Sequence, residues 1–477
     1  MKVKFILPAL MEAQNPGYRT MKYSLFPPLG LATLAGFLSA GDECEIQDEH
    51  VEKLNLFDEP DFVAIETYIT NARRAYEIAD TYRARGTFVI LGGLHATSLP
   101  GEALRHADAV FAGPAEESFP RFLGDFRNGT PGRLYFSKRR SLDDLPSARR
   151  DLIKRHLYLA PNSLVVSRGC PHRCSFCYKN DFFRGGVSFY TQRVDRALAE
   201  IESLPGRHLF FLDDHLLADP FFASRLFDGM SGMGKVFQGA ATIDSVLRGN
   251  LIEKAARAGL RSVFIGFESL SSTALKEAGK LHNDLGGYRE AVEKLHGLGV
   301  MINGSFVFGL DGDDAGVFPP TVDWALERGL ATATFHILTP YPGTPLFSGM
   351  WKAGRIRSLD WDLYDTRHAV FEPDGMTREE LESGYRWAYR HFYRWSSILK
   401  GGLAHDSAGM ALKRIACTAT WKKFEPLWDM IIGMGLLRYA QPLMEKFLAS
   451  TGGHAREKSP VAEVAEATET DIFESVR

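Results

Sequence analysis

Short β-rich runs alternate with helical segments twice along this chain, and that alternation restricts its fold more than any other feature. The first series extends from Val3 to about Gly124. Its strand-like runs are Val3–Leu7, Cys44–Gln47, Phe62–Glu66, Phe88–Leu91 and Ala109–Ala112, with helical stretches such as Leu29–Ser39 and Asn71–Arg85 between them. Strands and helices at this spacing imply βαβ crossovers, hence an α/β domain built on a doubly wound parallel sheet of Rossmann-like type. The second series has strand-like runs at Leu164–Ser167, His208–Leu212, Phe237–Thr242, Ser262–Phe267, Met301–Phe308 and Thr332–Leu338. Helical segments separate these too: Val194–Leu204, Pro220–Met230, Leu251–Ala258, Tyr288–Leu295 and Pro320–Arg328. Six such units predict a partial (β/α)6 TIM-type barrel, whose chemistry belongs at the C-terminal strand ends.

The expected organisation is a sheet domain over residues 1–127, a connector over 128–162, a barrel over 163–375, a helical C-terminal domain over 376–450 and a disordered tail over 451–477. The connector is charged and carries Pro131, Pro146 and Pro161. The tail is polar and rich in Glu, Ala and Thr, a composition that buries too little apolar surface to fold. In the C-terminal domain Tyr385, Tyr389, Phe392 and Trp395 fall near one helical face, as a core stripe or as a hydrophobic substrate wall.

Composition narrows the function. Lys and Arg number 56 against 59 Asp and Glu, a net charge of −3, so no charge argument points to nucleic acid. No apolar run approaches the roughly 18 residues of a membrane span. The opening residues Met1 to Pro8 read as a strand without signal-peptide anatomy. Five cysteines in 477 residues exclude a disulfide scaffold and fit a reducing cytoplasm.

Three of those cysteines stand together in Ser167-Arg168-Gly169-Cys170-Pro171-His172-Arg173-Cys174-Ser175-Phe176-Cys177-Tyr178, directly after the first strand of the second series. Random placement would give this C-x3-C-x2-C spacing with a chance of roughly 5 × 10⁻⁴. Thiolates so close on one loop are ligands for a soft metal or an iron–sulfur cluster. A closed zinc site needs a fourth ligand, and His172, between two of the cysteines, is poorly placed to supply it. A 4Fe–4S cluster held by three cysteines leaves one iron open to a non-protein ligand. Cys44 and Cys417 are distant in sequence and read as ordinary buried thiols.

The cysteine motif, with Phe176 before its last cysteine and six βα units behind it, resembles the radical S-adenosylmethionine (SAM) superfamily. The resemblance implies that Cys170, Cys174 and Cys177 hold a 4Fe–4S cluster and that Phe176 lies beside the bound cofactor. SAM would chelate the fourth iron, and its reductive cleavage would give methionine and a 5′-deoxyadenosyl radical. A barrel interior shields such a radical from water. The likeness continues through Leu212-Asp213-Asp214, Gly266-Phe267-Glu268-Ser269, Ser305-Phe306-Val307-Phe308-Gly309 and Thr339-Pro340-Tyr341-Pro342-Gly343-Thr344. These segments are similar to those of the subgroup that carries an N-terminal cobalamin-binding domain, in which residues at Glu268 and Ser305 line the SAM pocket. A carboxylate at a strand end can equally be paired with one of the many arginines. The prolines and glycine of the last segment can also serve only to shape a turn.

In the first domain Gly92-Gly93-Leu94-His95-Ala96-Thr97 and Ala112-Gly113-Pro114-Ala115-Glu116-Glu117 are similar to the cobalamin-domain pattern, which makes Gly92 and Gly93 cofactor-binding candidates. The two glycines would let a flat ligand approach the backbone, or they make a tight βα turn. Two departures stand out. Glu66-Thr67-Tyr68 occupies the place of a common Ser-x-Leu. Asp48-Glu49-His50-Val51-Glu52-Lys53 imitates Asp-x-His-x-x-Gly with lysine for glycine, and it follows the second strand rather than the first. His50 is therefore read as a surface or ligand-edge histidine, and cobalamin as bound without a protein imidazole. The expected function is cobalamin-dependent C-methylation of a small or hydrophobic metabolite, with a reductant such as flavodoxin or ferredoxin. Radical cyclisation or rearrangement without methyl transfer is the second enzyme reading, and a non-catalytic iron–sulfur module is the reading from another class.

Overall fold

The computed structural model describes residues 1–10, 13, 21–280, 282–404, 408–437 and 439–440. The expected tail, 451–477, and the end of the expected helical domain lie outside the described residues.

Six strands, β1 (Lys2–Leu7), β2 (Glu43–Asp48), β3 (Phe62–Glu66), β4 (Phe88–Gly92), β5 (Ala109–Ala112) and β6 (Leu134–Phe136), form one parallel sheet in the order β2-β1-β3-β4-β5-β6. Helices cover both faces, so β3 is buried along almost its whole length and reads as a continuous apolar run. Phe62, Phe111, Phe119 and Phe122 pack on one face. On the other, the helix Ala72–Arg83 buries Ala75, Ile78, Ala79 and Tyr82. Strand order reverses between β1 and β3, the switch point beyond which doubly wound sheets open a ligand crevice. β6 was not foreseen: it lies in the expected connector and pairs with β5. Three residues, with Tyr135 buried between exposed Leu134 and Phe136, are too few to establish a period.

The barrel strands are β7 (Ser163–Leu164), then, beyond a hairpin of β8 (Ser167–Gly169) and β9 (Phe189–Thr191), β10 (His208–Phe211), β11 (Val236–Ala241), β12 (Leu260–Glu268), β13 (Met301–Phe308) and β14 (Thr332–Ile337). They pair in parallel in the order β14-β13-β12-β11-β10-β7, a partial barrel. The expected single strand Leu164–Ser167 is divided. Asp213 accepts the Val166 and Ser167 amides, which takes the chain out of the barrel sheet and into the antiparallel hairpin.

Five helical segments, from Arg378–Phe392 to Glu425–Gly433, make up the described C-terminal region. Thr377 and Glu380 form a capping box at its first helix. Of the aromatic stripe, Tyr385, Tyr389 and Phe392 pack in the core and Trp395 does not. The Tyr389 hydroxyl accepts the Phe335 amide at 3.2 Å, Phe392 is buried, and Trp395 faces outward at 52% exposure. Among the described residues no helix is long and apolar enough to cross a membrane.

Candidate functional site

The cysteine loop leaves β8 at Gly169, whose backbone is left-handed (φ 82°) and whose missing Cβ would overlap the Ser188 carbonyl. Only glycine fits that corner. Ser175 donates its amide to the Ala278 carbonyl at 2.9 Å, and Asn180 donates its side-chain amide to the Cys174 carbonyl at 2.9 Å. Burial pushes the Cys170 thiol up to about 11 and Cys174 up to about 12. The backbone N–H groups of His172 and Lys179 oppose this at Cys170 and Cys177, as donors to thiolate sulfur. Among the described residues no three His, Cys, Asp or Glu side chains converge tightly enough for one metal ion. Three half-buried thiols on one loop suit a cluster with one open iron better than a closed zinc site, which needs a fourth ligand. His172 is engaged elsewhere: its ring stacks on His282 at 3.5 Å.

Asp213 and Asp214, just beyond the C-terminal end of β10, hold this loop in place. Asp213 accepts from the Ser167 amide and hydroxyl, both at 2.5 Å. Asp214 accepts the Gly169 amide at 3.0 Å and pairs with Lys179 at 2.5 Å, so it grips the chain just before Cys170 and just after Cys177. The sequence alone assigns neither aspartate a role, because both act through contacts on a distant segment of the chain.

Glu268 ends β12 in a left-handed conformation (φ 65°), where the pairing with β13 shifts register between Gly266 and Glu268. Such a bulge re-aims a side chain, and the strain costs about 1–3 kcal/mol. Lys280, unnoticed in the sequence, forms a buried ion pair with Glu268 and donates to the Gly266 carbonyl at 2.9 Å. The partner of the carboxylate is thus a lysine, not an arginine. A Cβ at Gly266 would overlap the Glu268 carboxylate, which explains that glycine. The positive charge of Lys280 also lowers the thiol pKa values of the loop, most at Cys174, against the larger effect of burial. Ser305 pairs across from Gly266 and is buried, and Phe176 packs half-buried against the barrel core.

At the switch point, Glu66 accepts a hydrogen bond from the Tyr68 hydroxyl at 2.9 Å. Glu66 and Tyr68 line a cleft of about 700 Å³ together with Pro27, Gly30 and, from the cysteine loop side, Arg168 and Lys179. A slot of about 120 Å³ continues from it between the strand ends, bordered by Gly30, Gly92, Gly93, Gly113 and Phe111. Gly92 faces the slot, where a Cβ would only touch Phe111 at 3.5 Å. Gly93 is required for another reason: with φ 106° its Cβ would lie 2.9 Å from the Thr67 carbonyl, so the close approach there is backbone to backbone. Arg168 reaches Glu116 at 3.0 Å and ties the loop of the first domain to the strand that carries Cys170. His50 holds Asp48 through Nδ1 at 2.9 Å, lies 3.4 Å from the Leu10 amide through Nε2, and stacks on Tyr23. It offers no nitrogen to a cofactor. An apolar slot opened by glycines, leading into a cleft between two domains, fits a corrin with its nucleotide tail. Cys44 and Cys417 are half-buried, on β2 and on the helix Ala408–Thr418.

Residues 164–325 match the Radical SAM superfamily, and residues 22–123 match the B12 binding domain. The bacteriochlorophyllide d C-12(1)-methyltransferase of Chlorobaculum tepidum is 32% identical over 71% of this chain and 76% of its own length. The bacteriochlorophyllide d C-8(2)-methyltransferase of the same organism is 28% identical over 78% and 86%. Among solved structures, OxsB, a cobalamin-dependent S-adenosylmethionine radical enzyme with aqua-cobalamin and SAM bound, superposes with a TM-score of 0.65 at 15% identity, over 94% of this chain and 75% of that one. The cofactors are accordingly a 4Fe–4S cluster, SAM and cobalamin. The chain belongs to the radical SAM superfamily, in the subgroup whose barrel follows an N-terminal cobalamin-binding domain.

Proposed function

We propose that Cys170, Cys174 and Cys177 ligate the cluster, that Glu268 and Ser305 line the SAM pocket beside Phe176, and that Gly92 and Gly93 border the cobalamin slot. The substrate is an extended, mostly apolar ring system, methylated at a carbon with no activating group. One observation carries this reading: Ser167, Arg168 and Lys179 of the cysteine loop share a single cleft with Glu66 and Tyr68 of the switch point. Cleavage of SAM and methyl delivery can therefore meet at one substrate. The cluster supplies the electron that splits SAM, and cobalamin supplies the methyl group. This chain's residues position them: Asp214 fixes both ends of the cysteine loop, Lys280 holds Glu268 toward it, and Arg168–Glu116 locks the two domains together. Support for the ring-shaped substrate comes from the two bacteriochlorophyllide methyltransferases. The electron comes from a donor of flavodoxin or ferredoxin type in the cytoplasm.

After anaerobic reconstitution with SAM, reductant and a chlorin acceptor, S-adenosylhomocysteine should accumulate beside 5′-deoxyadenosine. Deoxyadenosine alone would sink methyl transfer. Glu268→Gln keeps the side chain's shape but removes the charge facing Lys280. It should weaken SAM binding by about tenfold while iron content stays at the wild-type value. Unchanged SAM affinity and turnover would make Glu268 a structural residue.

A further inference from the structure

A second chamber, of about 650 Å³, lies on the other side of Tyr68 from the cofactor cleft. Tyr68, Ile69 and Leu94 wall it from the first domain, Tyr178 from the cysteine loop and Tyr341 from the chain after β14. Residues 362–368 complete it. Its position is unusual in touching both halves of the machinery. Tyr178 directly follows Cys177, and Tyr68 lines this chamber and the cofactor cleft alike.

The 360–368 segment is a strap fixed at both ends. On the first domain, Asp360 pairs with Arg73 at 2.8 Å, and the Trp361 indole donates to Glu102 at 3.1 Å. On the barrel, Ile337 donates its amide to the Thr366 carbonyl at 2.7 Å, and His336 Nδ1 lies 3.1 Å from the Thr366 hydroxyl. Thr366 is left-handed (φ 65°), and Glu268 is the other such non-glycine residue among the described ones. A β-branched residue reaches that conformation only where its surroundings impose it, and such strain gathers at ligand clamps.

We propose that this chamber is the substrate site and that the strap, chiefly Leu363, sets its specificity. Resting on the function proposed above, the inference names what the chamber takes: a flat, predominantly apolar ring system of chlorin size. Tyrosine faces and aliphatic side chains make most of the wall, and the volume falls within the roughly 300–1,000 Å³ of sites that enclose one organic ligand. Charged groups stand at the outer end, where Asp365 meets His368 at 3.0 Å and Arg367 at 3.6 Å. Polar substituents of the ring remain there, while the carbon to be methylated points inward between Tyr68 and Tyr178.

The test titrates pheophorbide a, a metal-free chlorin, into cofactor-loaded protein and follows quenching of its fluorescence. Wild-type protein should bind it saturably. Leu363→Trp on the strap and Ile69→Trp on the first domain, both lining the chamber, should each weaken binding by about tenfold or more by filling the space, with iron and cobalamin content unchanged. Wild-type affinity in both tryptophan variants would overturn the proposal. So would the absence of saturable binding by wild-type protein that retains both cofactors. Failure of wild-type protein to retain iron or cobalamin would instead strike the proposed function, and the titration would still report on the chamber.

Discussion

Replacing Cys170, Cys174 or Cys177 by Ala should abolish 5′-deoxyadenosine formation, whereas replacing Cys44 or Cys417 should leave it unchanged. The first three share one loop whose backbone N–H groups already point at two of the sulfurs. A buried thiol resists ionisation unless a metal compensates the charge, so burial that raises Cys170 to about 11 and Cys174 to about 12 makes them poor thiolates in isolation. If they ligate the cluster as proposed, removing one would leave an iron without its protein ligand. Cys44 and Cys417 sit on a sheet edge and a C-terminal helix, where burial raises their thiols without any such company. The measurements are iron per chain after anaerobic reconstitution, about four for wild type, and deoxyadenosine yield. Stoichiometric zinc without iron, or a Cys174→Ala variant that still cleaves SAM, would overturn the assignment.

What could be read in advance follows from how local the cause is. The helices Pro220–Met230 and Leu251–Ala258 were legible to the residue because their ends carry their own signals. Asp219 caps the first by accepting the Phe221 and Phe222 amides, with Pro220 at its first position, and Gly259 closes the second with a left-handed turn. The cysteine spacing was equally local. Lys280 was not legible: a lone lysine in Ala278-Gly279-Lys280 acquires meaning only when the bulge after Gly266 turns Glu268 toward it. Thr366 was hidden for the same reason, since its strain is imposed by β14 from a distance of some thirty positions in the chain. The division of β7 from β8 depends on Asp213, which grips Val166 and Ser167 from the end of the neighbouring strand β10. Propensity describes the strand, and a tertiary hydrogen bond ends it.

Asp213→Ala should therefore cost more than its distance from the cysteines suggests. Its carboxyl is buried beneath the hairpin and accepts the Val166 amide at 3.2 Å and the Ser167 amide and hydroxyl at 2.5 Å. Truncation leaves these three donors without an acceptor in a site closed to water, a loss of about 3 kcal/mol or more. The barrel should unfold at a lower temperature, and the hairpin that presents Cys170 should loosen, so reconstituted protein should retain less iron. Burial outweighs the hydrogen bonds and holds the Asp213 carboxyl up to about 7, well above its ordinary 3.8. A carboxyl raised on folding favours the native state most below its unfolded pKa, and that contribution falls away as pH rises through the native value. Wild-type stability should accordingly decline between about pH 4 and pH 7 by an amount that Asp213→Ala removes. Equal unfolding temperatures for wild type and variant across that range, with equal iron content, would show that the hairpin is held by other contacts.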